Sequence, residues 1–303
     1  EKILKNKTMS DNKIDGWLFI DKPIGISSFS VIRKIRKKLN TKKIGHAGTL
    51  DPFATGVLGI AIGEATKSID YLNDKKEYEF NITFGESKTT EDLEGETLDE
   101  TNIIPNKSDI KNILKYFKGV IDQHPPKHSS IKINGQRSYN LARKDLNFET
   151  KSRKITIYEI NHIKQLNNFT HKFRVKCSSG TYIRSLGRDI AIRLNSLGYI
   201  SFLRRTKISK IDEKNIISLD KFLELVHIGN HFKMVLPIES VLDDIPAVYL
   251  NKENAFKFRN GQVMSIFNST SDINSLLVLK EKEVVGLGKI VSGKLVPIRM
   301  FNI

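Results

Sequence analysis

The stretch that most constrains the fold of this chain is Phe53–Gly63, FATGVLGIAIG. It is uncharged and rich in small and β-branched side chains, so it reads as a buried strand or a tightly packed segment. Directly ahead of it runs Gly45-His46-Ala47-Gly48-Thr49-Leu50-Asp51-Pro52. Glycine tolerates backbone angles that other residues avoid, and proline fixes its own. A turn built this way can hold the Asp51 carboxylate in one orientation. Asp before Pro is also ordinary surface-turn composition. An acidic residue on a rigid loop over a buried element suits an active site as well.

Charge narrows the partners. Lys and Arg total 50 against 34 Asp and Glu, a net charge of +16. Such an excess fits a polyanion, because each cation that meets a phosphate releases counterions. Basic composition shared across a genome would give part of the same excess. No apolar run reaches the length of a membrane span and no signal peptide is visible, so the expected partner is nucleic acid and the expected location cytoplasmic. The single cysteine, Cys177, cannot form an internal disulfide and reads as a reduced thiol packed in a strand. The 7 histidines come with no cysteine cluster, and there is no Walker loop and no GxGxxG. The chemistry is expected to need neither cofactor nor metal.

Residues 1–10 read as a polar lead. Trp17–Ile20 is a short strand and Asp21–Gly25 a turn. Ser27 or Ser28 caps a helix to about Leu39, with Val31, Ile32, Ile35 and Leu39 on one face and Arg33, Lys34, Arg36, Lys37 and Lys38 on the other. Tyr78–Gly85 alternates as a strand, followed by a polar, loop-like segment to Gly95, and Lys111–Phe117 is a short amphipathic helix. Residues 124–150 hold His124-Pro125-Pro126-Lys127, then Lys132, Arg137, Arg143 and Lys144 around Tyr139. They suit an ordered insertion able to touch RNA, or a plain connecting loop. Ile155–Ile160 and Phe173–Cys177 are strands, 183–197 a helix, and Arg204–Thr206 opens another strand region. The elements alternate without βαβ regularity, which predicts α+β: a mixed, largely antiparallel sheet flanked by helices. After Ile245-Pro246, short strands at Ala247–Tyr249, Leu276–Leu279, Val284–Leu287 and Lys294–Pro297 predict a small, β-barrel-like second domain.

Several motifs now stand in one order: Asp21–Ser28 (DKPIGISS), Gly45–Pro52 (GHAGTLDP), Ala54–Leu58 (ATGVL), Gly63–Lys67 (GEATK), Lys76-Glu77-Tyr78, Gln123-His124-Pro125-Pro126, Cys177–Arg184 (CSSGTYIR) and Leu203–Thr206 (LRRT). The chain thereby resembles the TruB family of tRNA pseudouridine synthases, from residue 18 to 206. Its tail, with LVPIR at Leu295–Arg299, looks like the RNA-binding PUA domain that follows in that family. The resemblance implies a catalytic domain over 11–245, with 124–150 as a thumb-like insertion, and a PUA-like domain over 246–303. It implies isomerisation of uridine 55 in the tRNA T-loop: the base leaves its sugar, rotates and rejoins through ring carbon 5, with no cofactor. The partner implied is the T-loop and elbow of tRNA, and the protein a monomer without an obligatory protein partner.

By the same resemblance Asp51 is the carboxylate that attacks or deprotonates at the sugar or the ring. Arg184 is the cation that keeps it ionised and oriented. Tyr78 stacks on the target base and assists proton removal from ring carbon 5. Tyr182 and Leu203 match pocket positions and serve as contacts or as packing. His46 matches the histidine that enters the RNA fold where the flipped base leaves. Lys22 is a phosphate contact or a support for the site. The chain departs from the family pattern at His128-Ser129-Ser130 (Tyr-Ser-Ala is usual), Ser179 (lysine), Asp145 (glycine) and Lys88 (threonine). A non-catalytic tRNA-binding or tRNA-folding protein would share the charge and the tail. It would not need Asp51, Tyr78 and Arg184 together. A guide-RNA-dependent relative would carry a reduced insertion.

Overall fold

The computed structural model describes residues 14–72, 75–129, 131–133, 135–138, 141, 148, 150–242, 244–265, 271–281 and 283–303. β1 (Gly16–Lys22), β2 (Ile44–Ala47), β3 (Thr55–Ile62) and β4 (Lys76–Phe84) open the chain. β1 and β3 run antiparallel along their whole length, Gly16 opposite Ile62 and Lys22 opposite Gly56, and β2 lies beyond β3 with His46 opposite Ile60. The uninterrupted apolar run of β3 has a physical cause, since both faces of this part of the sheet are covered. Leu58, Ile60 and Ile62 join Leu18 and Ile20 under the Ser28–Leu39 helix, through its Val31, Ile32 and Ile35. Val57 and Ala61 join Trp17 and Phe19 on the other side. A strand covered on both sides loses the period-two alternation. β4 keeps it, with Tyr78, Phe80, Ile82 and Phe84 buried and Glu77, Glu79, Asn81 and Thr83 half-exposed.

β5 (Glu86–Lys88), inside the stretch to Gly95 read from sequence as loop, forms a hairpin with β6 (Thr97–Glu100) just beyond it, and β7 (Gly119–Gln123) follows. β8 (Lys132–Ile133) and β9 (Gln136–Arg137) pair inside the insertion; Tyr139, Arg143, Lys144 and Asp145 lie outside the described residues. β10 (Arg153–Gln165), β11 (Thr170–Cys177), β12 (Gly198–Ile208), β13 (Ile211–Asp212) and β14 (Ile217–Ser218) complete a ten-stranded sheet. Its order is β14-β1-β3-β12-β4-β11-β10-β7, with β2 and β13 beside β3 and β12. Only β1–β14 and β3–β12 are parallel. The fold is therefore α+β with a mixed, largely antiparallel sheet. The helix expected over 183–197 is Ile183–Arg193, and the one expected over 111–117 is an α-helix, Lys107–Ile113, closed by a 3-10 turn, Leu114–Phe117.

β15 (Ala247–Tyr249), β16 (Met264–Ser265), β17 (Ile273–Lys280), β18 (Glu283–Val291) and β19 (Lys294–Met300) make a second sheet in the order β15-β17-β18-β19-β16. Its own core closes around Phe258 of the Lys252–Arg259 helix, an element the sequence reading did not include. Leu277, Leu279, Leu287 and Phe301 turn the other way and share the cluster of Trp17, Phe19 and Val57. No helix among the described residues is long and apolar enough to cross a membrane.

Candidate active site

The loop between β2 and β3 carries Asp51, and its neighbours fix it from three sides. The Ser28 hydroxyl donates to Leu50 O and accepts from Leu50 N, both at 2.9 Å. Gly25 N donates to Pro52 O at 2.9 Å. Lys22 is fully buried, and its ammonium donates to Pro23 O at 2.8 Å, Ile26 O at 2.7 Å and Pro52 O at 3.1 Å. An ammonium has three N–H donors, so Lys22 has none left for a phosphate. Of the two roles read from sequence, the structure favours support of the loop. Burial holds its pKa down at about 8, against the pull of Asp51 and Glu94.

Asp51 stands at the foot of a cavity of about 540 Å³. Arg184, in the first turn of the Ile183–Arg193 helix, grips it. Its Nη2 donates to Asp51 Oδ1 at 3.2 Å and its Nε lies 3.0 Å from Oδ2. The same guanidinium donates from Nη1 to Thr90 O at 3.0 Å and from Nη2 to His128 O at 2.9 Å. Nη1 also faces Asp92 Oδ2 at 3.4 Å. The buried arginine is thus shared by two carboxylates. Asp92 is fixed in turn by Thr90 Oγ1 and Glu94 N. Loss of hydration pushes the Asp51 carboxyl above the usual carboxylate range; Arg184 opposes this and Asp92 adds to it.

Two neighbouring strands, β4 and β12, supply one wall of the cavity. On β4 and β12, Tyr78 is opposite Arg205 and Phe80 opposite Leu203, which sets Tyr78 and Leu203 side by side in the wall. Burial pushes the Tyr78 hydroxyl up, with Arg205 pulling it back. Arg205 is wholly buried under that ring, with its guanidinium carbon 6.0 Å from the centroid, and it donates to Val57 O at 2.7 Å and Gly48 O at 3.0 Å. Gly48 has φ +76°, and a Cβ there would stand 3.3 Å from both Arg205 Nη1 and Lys76 Nζ. Lys76 Nζ in turn bonds the hydroxyl of Ser179, one of the residues read as departing from the family pattern. Tyr182 is locked by a reciprocal pair, Gln123 Nε2 to Tyr182 O at 3.0 Å and Tyr182 N to Gln123 Oε1 at 2.8 Å. Its ring lies 4.5 Å from the Arg153 guanidinium.

Asp51, Tyr78, Arg184, Tyr182 and Leu203 therefore line one cavity, although they come from distant parts of the chain. Lys22 lies beneath it. His46 stands on β2 outside the cavity wall, with Nε2 3.1 Å from Thr49 Oγ1, and burial together with Arg205 holds its imidazole below the usual pKa. The sequence reading gave no role to Asp92, Arg205, Lys76 or Arg153. Arg205 and Lys76 were within reach, since both sit inside quoted motifs. Asp92 belongs to a turn, TTEDLEG, that looks like any solvated loop.

A carboxylate on a rigid loop and a buried arginine beside it face an aromatic wall above a mixed sheet, and the proteins that this chain is similar to in sequence are pseudouridine synthases. Solved structures that share the fold include a Cbf5-Nop10-Gar1 complex (TM-score 0.72, 25% identity, 94% of this chain and 83% of that one) and an H/ACA RNP bound to a substrate RNA (TM-score 0.71, 23% identity, 94% and 84%). Residues 36–183 match the N-terminal domain of the TruB family pseudouridylate synthases, and residues 246–301 match the C-terminal domain of pseudouridine synthase II TruB. Curated relatives named tRNA pseudouridine synthase B include that of Rhodospirillum rubrum, 40% identical over 96% of this chain and 97% of its own. Those of Caulobacter sp. (strain K31), 36% over 96% and 97%, and Ehrlichia ruminantium (strain Gardel), 39% over 95% and 99%, are similar. The chain belongs to the TruB family of tRNA pseudouridine synthases, a class of isomerases.

Proposed function

We propose that this protein isomerises uridine 55 in the T-loop of tRNA to pseudouridine, acting without a guide RNA. The observation that carries this reading is the Asp51–Arg184 pair at the foot of a cavity walled by Tyr78 and Leu203. A cavity of this size suits one flipped base. Asp51 is the group that breaks the glycosidic bond by attack or deprotonation, and Arg184 orients it and holds it ionised. The base then turns against Tyr78 and rejoins the sugar through ring carbon 5, whose proton is lost. Every product atom comes from the substrate or from solvent, so the reaction balance asks for no cofactor. Leu203 and Tyr182 bound the base, His46 fills the gap that it leaves in the RNA, and Lys22 keeps the catalytic loop in place. The catalytic unit runs over 11–245, the insertion over 124–150 closes on the T-loop, and the unit over 246–303 binds RNA in the manner of a PUA domain. The insertion, which reaches β8 and β9 and returns at Thr150, supports the stand-alone reading, and we read the protein as a cytoplasmic monomer.

The test is tritium release from tRNA labelled at ring carbon 5 of uridine, with Asp51→Asn beside the wild type. Release at position 55 by the wild type alone, with tRNA binding of the variant within a few fold, is expected. If wild type binds tRNA without release, the protein is an RNA-binding or RNA-folding factor. Joint loss of binding and release in Asp51→Asn would make Asp51 structural.

A further inference from the structure

One helical turn beyond Arg184, on the same helix face, stands a second arginine with the same pattern of partners. Arg184 pairs with Asp92 and donates to His128 O. Arg188 pairs with Glu91 Oε1 at 2.5 Å and donates from Nη2 to His124 O at 3.1 Å. Its Nε donates to Asp189 Oδ1 at 2.9 Å, which orients the fork. Ser185 reaches the other oxygen of Glu91 at 3.4 Å. Two consecutive acidic residues of one turn and two carbonyls four residues apart at the root of the insertion are thus held by two arginines four apart. Arg188 touches neither Asp51 nor the cavity of Asp51. It borders a second cavity of about 670 Å³ behind the helix, with Glu91, Lys88, His124 and Lys127.

We infer that Arg188 is a positioning residue for the isomerisation: with Glu91 it fixes the turn and the insertion root from which Arg184 receives Asp92 and His128 O, and so sets Arg184 against Asp51. The inference rests on the proposed function of the Asp51 site. Each polar partner of Arg184 other than Asp51 lies on a segment that Arg188 also holds. Thr90 O and Asp92 flank Glu91 in the chain, and His128 O lies four residues from His124 O. Releasing Arg188 loosens both segments at once, and misplacement by about 1 Å can cost about a hundredfold in rate.

The test uses the full chain with Arg188→Met, Arg188→Lys and the charge-neutral double variant Arg188→Met/Glu91→Gln, which leaves no unpaired Glu91. Single-turnover rates at saturating tRNA, thermal unfolding, and the Asp51 carboxyl titration by carbon NMR (assigned with Asp51→Asn) are measured together. Expected is a rate ten- to a hundredfold lower in Arg188→Met and in the double variant, with partial recovery in Arg188→Lys. The Asp51 titration should move to higher pH as its cation drifts, while the unfolding temperature stays within a few degrees. An unchanged rate overturns the proposal. So does a rate that falls only in proportion to the folded fraction while the Asp51 titration stays where it was. Wild-type inactivity in the same assay would instead refute the function proposed for the site, and the NMR titration still decides whether Arg188 sets the Asp51–Arg184 pair.

Discussion

Lys22→Met isolates what a buried ammonium does under the Asp51 loop. At pH 7 Lys22 is charged in the folded and the unfolded chain. Removing it strands the carbonyls of Pro23, Ile26 and Pro52. The lost charge-assisted bonds are partly offset by the burial cost that disappears with the charge, leaving a net loss of about 2 kcal/mol. The pH dependence is sharper. The folded pKa is lowered to about 8 while the unfolded value is that of an ordinary lysine, 10.5. Between those values the unfolded chain binds the proton more readily than the folded one, so raising the pH stabilises the wild type relative to the variant. From pH 7 to pH 9 the gap between the two proteins widens by about 1.3 kcal/mol, close to the 1.36 kcal/mol of one pKa unit. Urea unfolding of both proteins at the two pH values measures it. A gap that stays constant or narrows would show that burial does not depress Lys22, and this account of its pH dependence would fall.

Three further outcomes are expected. Gly56→Ala places a Cβ 2.2 Å from Arg205 O at φ +101°, so it should lose at least about 3 kcal/mol in urea unfolding. Gly25→Ala, at φ +82° with nothing within 4 Å, should lose only about 1 kcal/mol. On the Ser28–Leu39 helix, Arg33, Lys34, Arg36, Lys37 and Lys38 are exposed, and no carboxylate pairs with them among the described residues. If that face follows RNA phosphates, Arg36→Glu with Lys37→Glu should weaken tRNA binding and flatten its salt dependence by a slope of up to about 2, with the rate at saturation unchanged. An unaltered slope would mark the face as merely solvated.

What could be read from sequence was what is local. The loop of Asp51, the strand behind it and the capped helix after Ser27 each fit within a dozen residues, and glycine, proline and serine mark their edges chemically. Asp51 and Arg184 are separated by 133 positions, and composition gives no reason to join them; the ordered motifs of a resembling family did. Asp92 escaped because a carboxylate in a polar turn joins the site only through the arginine that it meets. Lys22 shows the converse. Its motif was visible, but its three donors are assigned only when a carbonyl from Pro52, thirty residues on, completes the set. Sequence signals side chains whose setting is made by their own neighbours. Arg188 and Glu91 lie 97 residues apart, in segments that separately read as helix surface and loop, and a pairing of that kind is a property of the sheet that brings the segments together.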